Sequence, residues 1–276
     1  MFVSRFLLSV TLLTAIDAVA ALETRACDDS WIEIVDQTDI DFYKTCPNID
    51  GTLFFIDHLF KGPFELPGVK SLPEVSSGYL GPKLKGSDRV DDGVTSVSMP
   101  DLTNITSGGI LFGYVNNLTS VSFPNLNTIT GDLAIIDSYP LRNISLPALT
   151  TVNGGVLLDG HFDQISLPSL KSVSFLRVLS TGDISCPALG AAFASLTFTP
   201  KKTDIYSGFT CWTGYENNRW NSSDPEHNPT IDGTSPTSTG SGSGSATNTK
   251  ASAANAPRVG YVEMLLFSVG VLCLSH

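Results

Sequence analysis

Basic residues are scarce. Sixteen Lys and Arg stand against 27 Asp and Glu, giving a net charge of −11 in 276 residues and a pI near 4.6. A chain without a basic stripe has no electrostatic footprint for nucleic acid, so that partner class is excluded. No C-x-x-C is present, which removes the common zinc and redox arrangements. His58, His161 and His227 stand apart with no H-E-x-x-H, so no metal site is expected. The sequence has no G-x-S-x-G elbow, phosphate-binding loop or dinucleotide fingerprint, and no cofactor is expected. Long apolar runs are missing as well. The run from Met264 to Leu274 is too short for a hydrocarbon core that needs about 20 residues.

What is present at the two ends reads as processing signals. Arg5, an apolar run from Phe6 to Ile16 and Ala18-Val19-Ala20 form the pattern of a secretory signal peptide over residues 1–20, with a buried N-terminal helix as the alternative. At the other end, small residues from Ala251 to Ala256 precede a polar spacer and the apolar tail. This is the signal for a GPI anchor, with 256–276 as the removed propeptide. Asn255 and Ser252 are the candidate attachment residues; a tail-anchored helix is the alternative. Removing the tail removes Cys273 and leaves Cys27, Cys46, Cys186 and Cys211, an even number suited to an oxidising compartment. Three pairings are possible, and the local one would put a bridge at each end of the domain.

Between the ends one phrase recurs: Ser, apolar, Pro, any residue, Leu. It reads Ser98-Met99-Pro100-Asp101-Leu102, then recurs from Ser122, Ser145, Ser166 and Ser185, with a degraded copy at Ser71-Leu72-Pro73-Glu74-Val75. A spacing near 20–27 residues marks a repeat architecture. Within a repeat, Val121 and Phe123 alternate with Ser122, so the phrase ends a strand with Ser outward, and Pro124 stops it. Gly131 permits a tight bend, and Leu133 and Ile135 begin a second strand. Ile110/Phe112, Val156/Leu158 and Phe175/Arg177 occupy the equivalent places. The pattern predicts a mainly β chain, a parallel β-solenoid with several strands per turn and short capping helices.

Other segments fit around that stack. Trp31 to Val35 reads as a strand and Asp36 to Lys44 as a short helix, together an N-terminal cap. Residues 76–94, rich in Gly, Pro and Asp, predict a loop leaving the stack. Ala191 to Leu196 is a candidate capping helix. The division expected is a domain over 21–221 and a disordered, O-glycosylated Ser/Thr/Gly stalk over 222–255.

Sites with possible chemistry are few. Four sequons place N-glycans at Asn104, Asn117, Asn143 and Asn221. The Ser ladder reads as an outward scaffold face rather than a recognition code. Asp57, Asp137 and Asp159 recur after the second strand, where turn formation is the commoner role and a polysaccharide-cleaving pair the sharper one. Trp31, Trp212 and Trp220 could stack on sugars; two of them adjoin cysteines of the caps, where packing is expected.

Taken together, Cys27, the helix around Asp39 to Lys44, Cys46 with the following Asn-Ile-Asp-Gly, the Ser-Φ-Pro-x-Leu repeats, the Cys186/Cys211 end, the stalk and the tail resemble a known family. It is the fungal GPI-anchored cell-wall organisation proteins of the sporulation-specific and extracellular-mutant type, built on receptor-L-domain-like leucine-rich repeats. The resemblance covers about residues 27–212 and the two signals. It implies a β-helical ectodomain on the plasma membrane or in the wall, with no catalytic residues to carry over. The function expected is non-enzymatic support of wall organisation, with membrane contact through a GPI lipid and wall polysaccharide or wall proteins as partners. The alternatives are a carbohydrate- or protein-binding surface module and a polysaccharide-active β-helix enzyme.

Overall fold

A computed structural model describes residues 25–78, 93–202, 204, 206–215 and 218–228. The expected signal segment, most of the expected 76–94 loop, the expected stalk beyond 228, Ser252, Asn255 and the C-terminal tail lie outside the described residues.

The described chain is mainly β, with two α-helices and four open sheets. The longest sheet has nine strands: Trp31–Ile34, Leu53–Ile56, Val75–Gly78, Ile110–Gly113, Leu133–Ile136, Val156–Gly160, Phe175–Ser180, Gly208–Trp212 and Arg219–Asn221. All its pairings are parallel except the last, where Gly208–Trp212 meets Arg219–Asn221 antiparallel. A second sheet stacks six two-residue strands from Ser71–Leu72 to Thr197–Phe198. A third face carries Gly62–Glu65, Val94–Ser98 and Ser120–Ser122, then Asn143–Ser145 and Gln164–Ser166 as a separate pair. Through the middle of the chain each turn visits the three faces in order, and parallel neighbours come from successive turns.

Alternation on the long sheet explains this stacking. Ile32, Phe54, Val75, Ile110, Leu133, Val156, Leu176 and Phe209 are buried and aligned or nearly so. The parallel column beside it runs Ile34, Ile56, Ser77, Phe112, Ile135, Leu158, Val178 and Cys211. Ser77 is its polar member, and its hydroxyl donates to the Ile56 carbonyl at 3.0 Å. Leu72, Ile105, Ile129, Val152 and Val173 fill the corner behind the short strands. Each fully buried side chain of this kind contributes about 1.5–3 kcal/mol, and no single turn could bury its own face.

The recurring phrase contributes two further columns. Met99, Phe123, Leu146 and Leu167 are buried at the apolar position, and Leu102, Leu126, Leu149 and Leu170 at the last. The first copy is a different stretch from the one read in the sequence. Glu65 pairs with Ser98, so Glu65-Leu66-Pro67-Gly68-Val69 is the repeat, with Leu66 and Val69 fully buried. Ser71–Leu72 belongs to the corner sheet beside Asn104–Ile105. The last copy changes state: Ser185 caps α2 (Cys186–Ala192), accepting from the Ala188 amide, with Pro187 in the first turn. Ser-x-Pro suits a helix start as well as a strand stop. The C-terminal helix therefore starts five residues before the 191–196 segment expected to form it and shares only Ala191 and Ala192 with it.

Three other differences have local causes. In the Phe175–Ser180 strand the inward pair is Leu176 and Val178, not Phe175 and Arg177. Phe175 lies against Gly155, where a Cβ would strike its ring, and meets the Tyr206 ring at a tilt with centroids 5.3 Å apart. Residues 76–78 are a strand of the long sheet, with Ser76 and Ser77 buried, rather than the start of a loop. The hydrogen-bonded chain also continues past 221: the Asn221 amide donates to Asn228 Oδ1 at 2.7 Å, and Asn228 Nδ2 donates back to the Asn221 carbonyl at 2.9 Å.

Each end is capped and bridged. α1 (Gln37–Tyr43) starts at Asp36 with a reciprocal capping box to Asp39, and the buried Asp39 pairs with Arg25 at 2.6 Å. Cys27 is bonded to Cys46, and Cys186 at the start of α2 to Cys211 in the long sheet. Backbones of successive turns touch where glycine recurs: a Cβ at Gly131 would strike the Gly108 carbonyl.

Candidate functional site

Filling the inward positions fixes what faces out. On the long sheet one outward row runs Glu33, Phe55, Ser76, Leu111, Ala134, Leu157, Arg177, Thr210 and Asn221. The next includes Gly113, Ile136, Asp159, Leu179, Trp212 and Arg219. Leu111 and Ala134, mid-row, are buried apart from the main core. The exposed large apolar side chains of this face stand at its two ends, and each is a tryptophan.

At the N-terminal end Trp31 is 64 % exposed beside Leu53. Glu33 is next on the strand, and burial, followed by a hydrogen bond to Asp57 and its charge, holds the Glu33 carboxyl above its ordinary range. His58 Nδ1 lies 3.1 Å from the same Asp57 carboxylate.

At the C-terminal end Trp212 is 41 % exposed and faces Arg219 across the antiparallel pair. Asn221 stands opposite Thr210, whose hydroxyl is enclosed with no hydrogen-bond partner. With Asp224 and Asn228 these residues line a cleft of about 550 Å³. One strand inward the Arg177 guanidinium sits 4.4 Å from the Tyr206 ring centroid, a cation–π contact.

The outward faces elsewhere are plain. The third face presents Glu65, Ser98, Ser122, Ser145 and Ser166 in a polar line, with Ser98 paired to Ser122 and Ser145 to Ser166. Among the described residues no group of His, Cys, Asp and Glu could hold a metal ion, and no helix is long and apolar enough to cross a membrane.

Known proteins with similar sequences are fungal. Protein ecm33 of Aspergillus fumigatus is 34 % identical over 169 residues, 52 % of this chain and 38 % of that one. Cell wall protein ecm33 of Schizosaccharomyces pombe is 30 % identical over 123 residues, 44 % and 27 %. A cell surface GPI-anchored protein of Arthroderma benhamiae is 32 % identical over 117 residues, 33 % and 30 %. The chain is similar to fungal proteins named for the cell wall and the GPI-anchored cell surface. It spans less than two-fifths of the length of each of these three relatives. None of the three names denotes an enzyme. No family model and no solved structure matches.

Of the carboxylates singled out by sequence, Asp57 stands apart, whereas Asp137 and Asp159 are neighbours on adjacent turns, the Asp137 amide donating to the Asp159 carbonyl at 2.8 Å. Asp57 continues the row through Gly78, Gly113 and Ile136 to Asp159, four spacings of about 4.8 Å, or roughly 19 Å. A glycoside-cleaving pair needs about 5–9.5 Å. Asp137 adopts φ 51° in a turn and accepts from the Tyr139 hydroxyl at 2.8 Å. His161 Nδ1 lies 3.0 Å from Thr181 Oγ1, far along the chain from His58.

Of the sequon residues, Asn104 and Asn143 are exposed on strands, and Asn117 and Asn221 are half-buried. The tryptophans reverse the expected order. Trp31 and Trp212, beside the bridged ends, are the exposed ones, because Ile32 and Cys211 take the inward places. Trp220 packs inward over Gly190 of α2. Sequence reasoning missed Arg219, Asp224 and Asn228. Their signal lay in stretches assigned to the domain end and the stalk, where composition shows only polar residues.

Proposed function

We propose that this chain is a non-enzymatic glycoprotein of the fungal cell surface that supports wall organisation and integrity. In this reading residues 1–20 are a signal peptide, a GPI lipid added near Ser252 or Asn255 holds the mature protein to the outer leaflet or passes it to the wall, and glycans occupy sequons on the domain. The stacked turns are those of a receptor-L-domain-like β-solenoid. Its partners are wall polysaccharide or wall proteins, met at the open ends of the long sheet's outer face.

One observation carries the reading. The inward columns are continuous and apolar apart from Ser77, whereas one outer face exposes Trp31 at one end and Trp212 at the other. That is how a rigid scaffold presents a surface, and the separation of Asp57 from Asp159 argues against a cleaving pair made of those two. The names of the similar fungal proteins support the location.

The test is a wall fractionation with a deletion strain. The protein is expected in the wall or in the fraction released by a phosphatidylinositol-specific lipase, and the deletion is expected to sensitise cells to wall-perturbing dyes. An intracellular protein, or a deletion with unchanged wall composition and stress tolerance, overturns the proposal.

A further inference from the structure

The cleft at the C-terminal end is built from residues that are held firmly in place. Asn221 is fixed by its reciprocal pair with Asn228 and by the Ser223 amide, which donates to Asn221 Oδ1 at 2.9 Å. Behind it, Trp220 rests on Gly190 of α2, and a Cβ at Gly190 would strike the indole. α2 is itself tied to the sheet by the Cys186–Cys211 bridge and by Asn218. The Asn218 side chain accepts from the Cys186 amide at 2.7 Å and donates to the Ile184 carbonyl at 2.7 Å. A site whose walls are locked in this way loses little freedom on binding.

The lining has a distinct chemistry. Trp212 supplies a flat, half-exposed apolar surface. Asn221, Asn228, Arg219 and Asp224 supply amide, guanidinium and carboxylate groups around it. One cation and one anion leave the cleft without a strong charge of either sign. A few polar groups around an aromatic plane suit a neutral amphipathic ligand that has an apolar face and a rim of hydrogen-bonding groups. Sugar rings have that form. The cleft's volume falls in the range of small-ligand sites.

We propose that this cleft seats a neutral saccharide, with one ring stacked on Trp212 and its hydroxyl or acetamido groups bonded by Asn228, Asp224 and Arg219. Two sources share that chemistry. Asn221 is both a wall of the cleft and the acceptor of the Asn221-Ser222-Ser223 sequon, so the chain's own N-glycan would start at the site. The other source is a glycan of another molecule. The inference deepens the surface reading by naming a ligand class, and it rests on that reading only for the second source.

Full-length secreted protein from a fungal host tests it with purified components, so its outcome is separable from any wall phenotype. The first arm follows release of glycans by peptide N-glycosidase without denaturation. If the chain's own glycan fills the cleft, release at Asn221 is slower than at Asn143, and W212A abolishes the difference. The second arm uses Ser223→Ala, which removes the sequon and leaves Asn221 in place. This variant is titrated with chitotetraose and with laminarihexaose by tryptophan fluorescence and calorimetry. If the ligand is external, one of them binds, and adding W212A weakens binding about tenfold or more, as loss of an aromatic anchor does. Leu59→Ala, at an exposed side chain outside the cleft, is the control and is expected to change neither arm. Equal release at Asn221 and Asn143 together with no binding by the sequon-free variant overturns the proposal.

Discussion

Glu65 lies beside Ser98 in parallel register, and the Gly68 amide donates to Asp101 Oδ2 at 2.8 Å. These contacts make Glu65-Leu66-Pro67-Gly68-Val69 a turn of the stack in spite of its missing serine. Leu66→Ala is therefore expected to cost about 2–5 kcal/mol, the range for an emptied core position. Leu59→Ala, at a side chain 59 % exposed, should cost almost nothing. Urea unfolding of the two variants checks this, and equal midpoints would refute the assigned register.

This copy shows what the sequence could and could not reveal. The apolar and Leu positions of the phrase are legible because burial demands them in every turn. The serine is not demanded: its place is outward, so Glu65 serves, and a search keyed on Ser selects Ser71 in the neighbouring sheet. Phe175 misleads in a related way. It takes an outward place over Gly155, which shifts the apparent alternation by one residue. The exposure of Trp31 and Trp212 was legible from period two alone, given that Ile32 and Cys211 face in. The cleft was not, because Asn218 and Ile184 meet across 34 residues of chain and only the fold brings them together.

The Thr210 hydroxyl is enclosed without a partner. Thr210→Val keeps the shape and removes that group, so it should stabilise by about 1 kcal/mol. A raised urea midpoint with unchanged slope is the expected result. A lowered midpoint would mean that the hydroxyl is satisfied after all.

Glu74 gives a pH signature. Burial, only partly offset by hydrogen bonds from Ser76 and the Gly109 amide, holds its carboxyl above the usual range. The folded state therefore holds this proton more tightly than the unfolded chain does. The resulting stabilisation is fully present below the unfolded value of about 4.3 and is lost as pH rises through the folded value. Glu74→Gln should match the wild type in strong acid and become the more stable of the two as pH rises to neutrality. Melting curves from pH 3 to 7 read the gap, and a gap that shrinks with pH would contradict the assignment.

The two bridges close spans of 19 and 25 residues. Replacing either pair by serines should cost about 3 kcal/mol through chain entropy alone. Loss of Cys186–Cys211 should also loosen α2 behind Trp220. Hydrogen exchange should then rise at Arg219–Asn221 in that variant and stay unchanged there when Cys27–Cys46 is removed.

The central claim is that an inert, filled scaffold acts through the open ends of one sheet face. Its most direct test is rescue of a deletion strain by W31A/W212A, expressed at the wild-type surface level and melting at the wild-type temperature. The account predicts that wall-stress sensitivity persists in these cells, while Leu59→Ala restores tolerance. Full rescue by the double variant would contradict it.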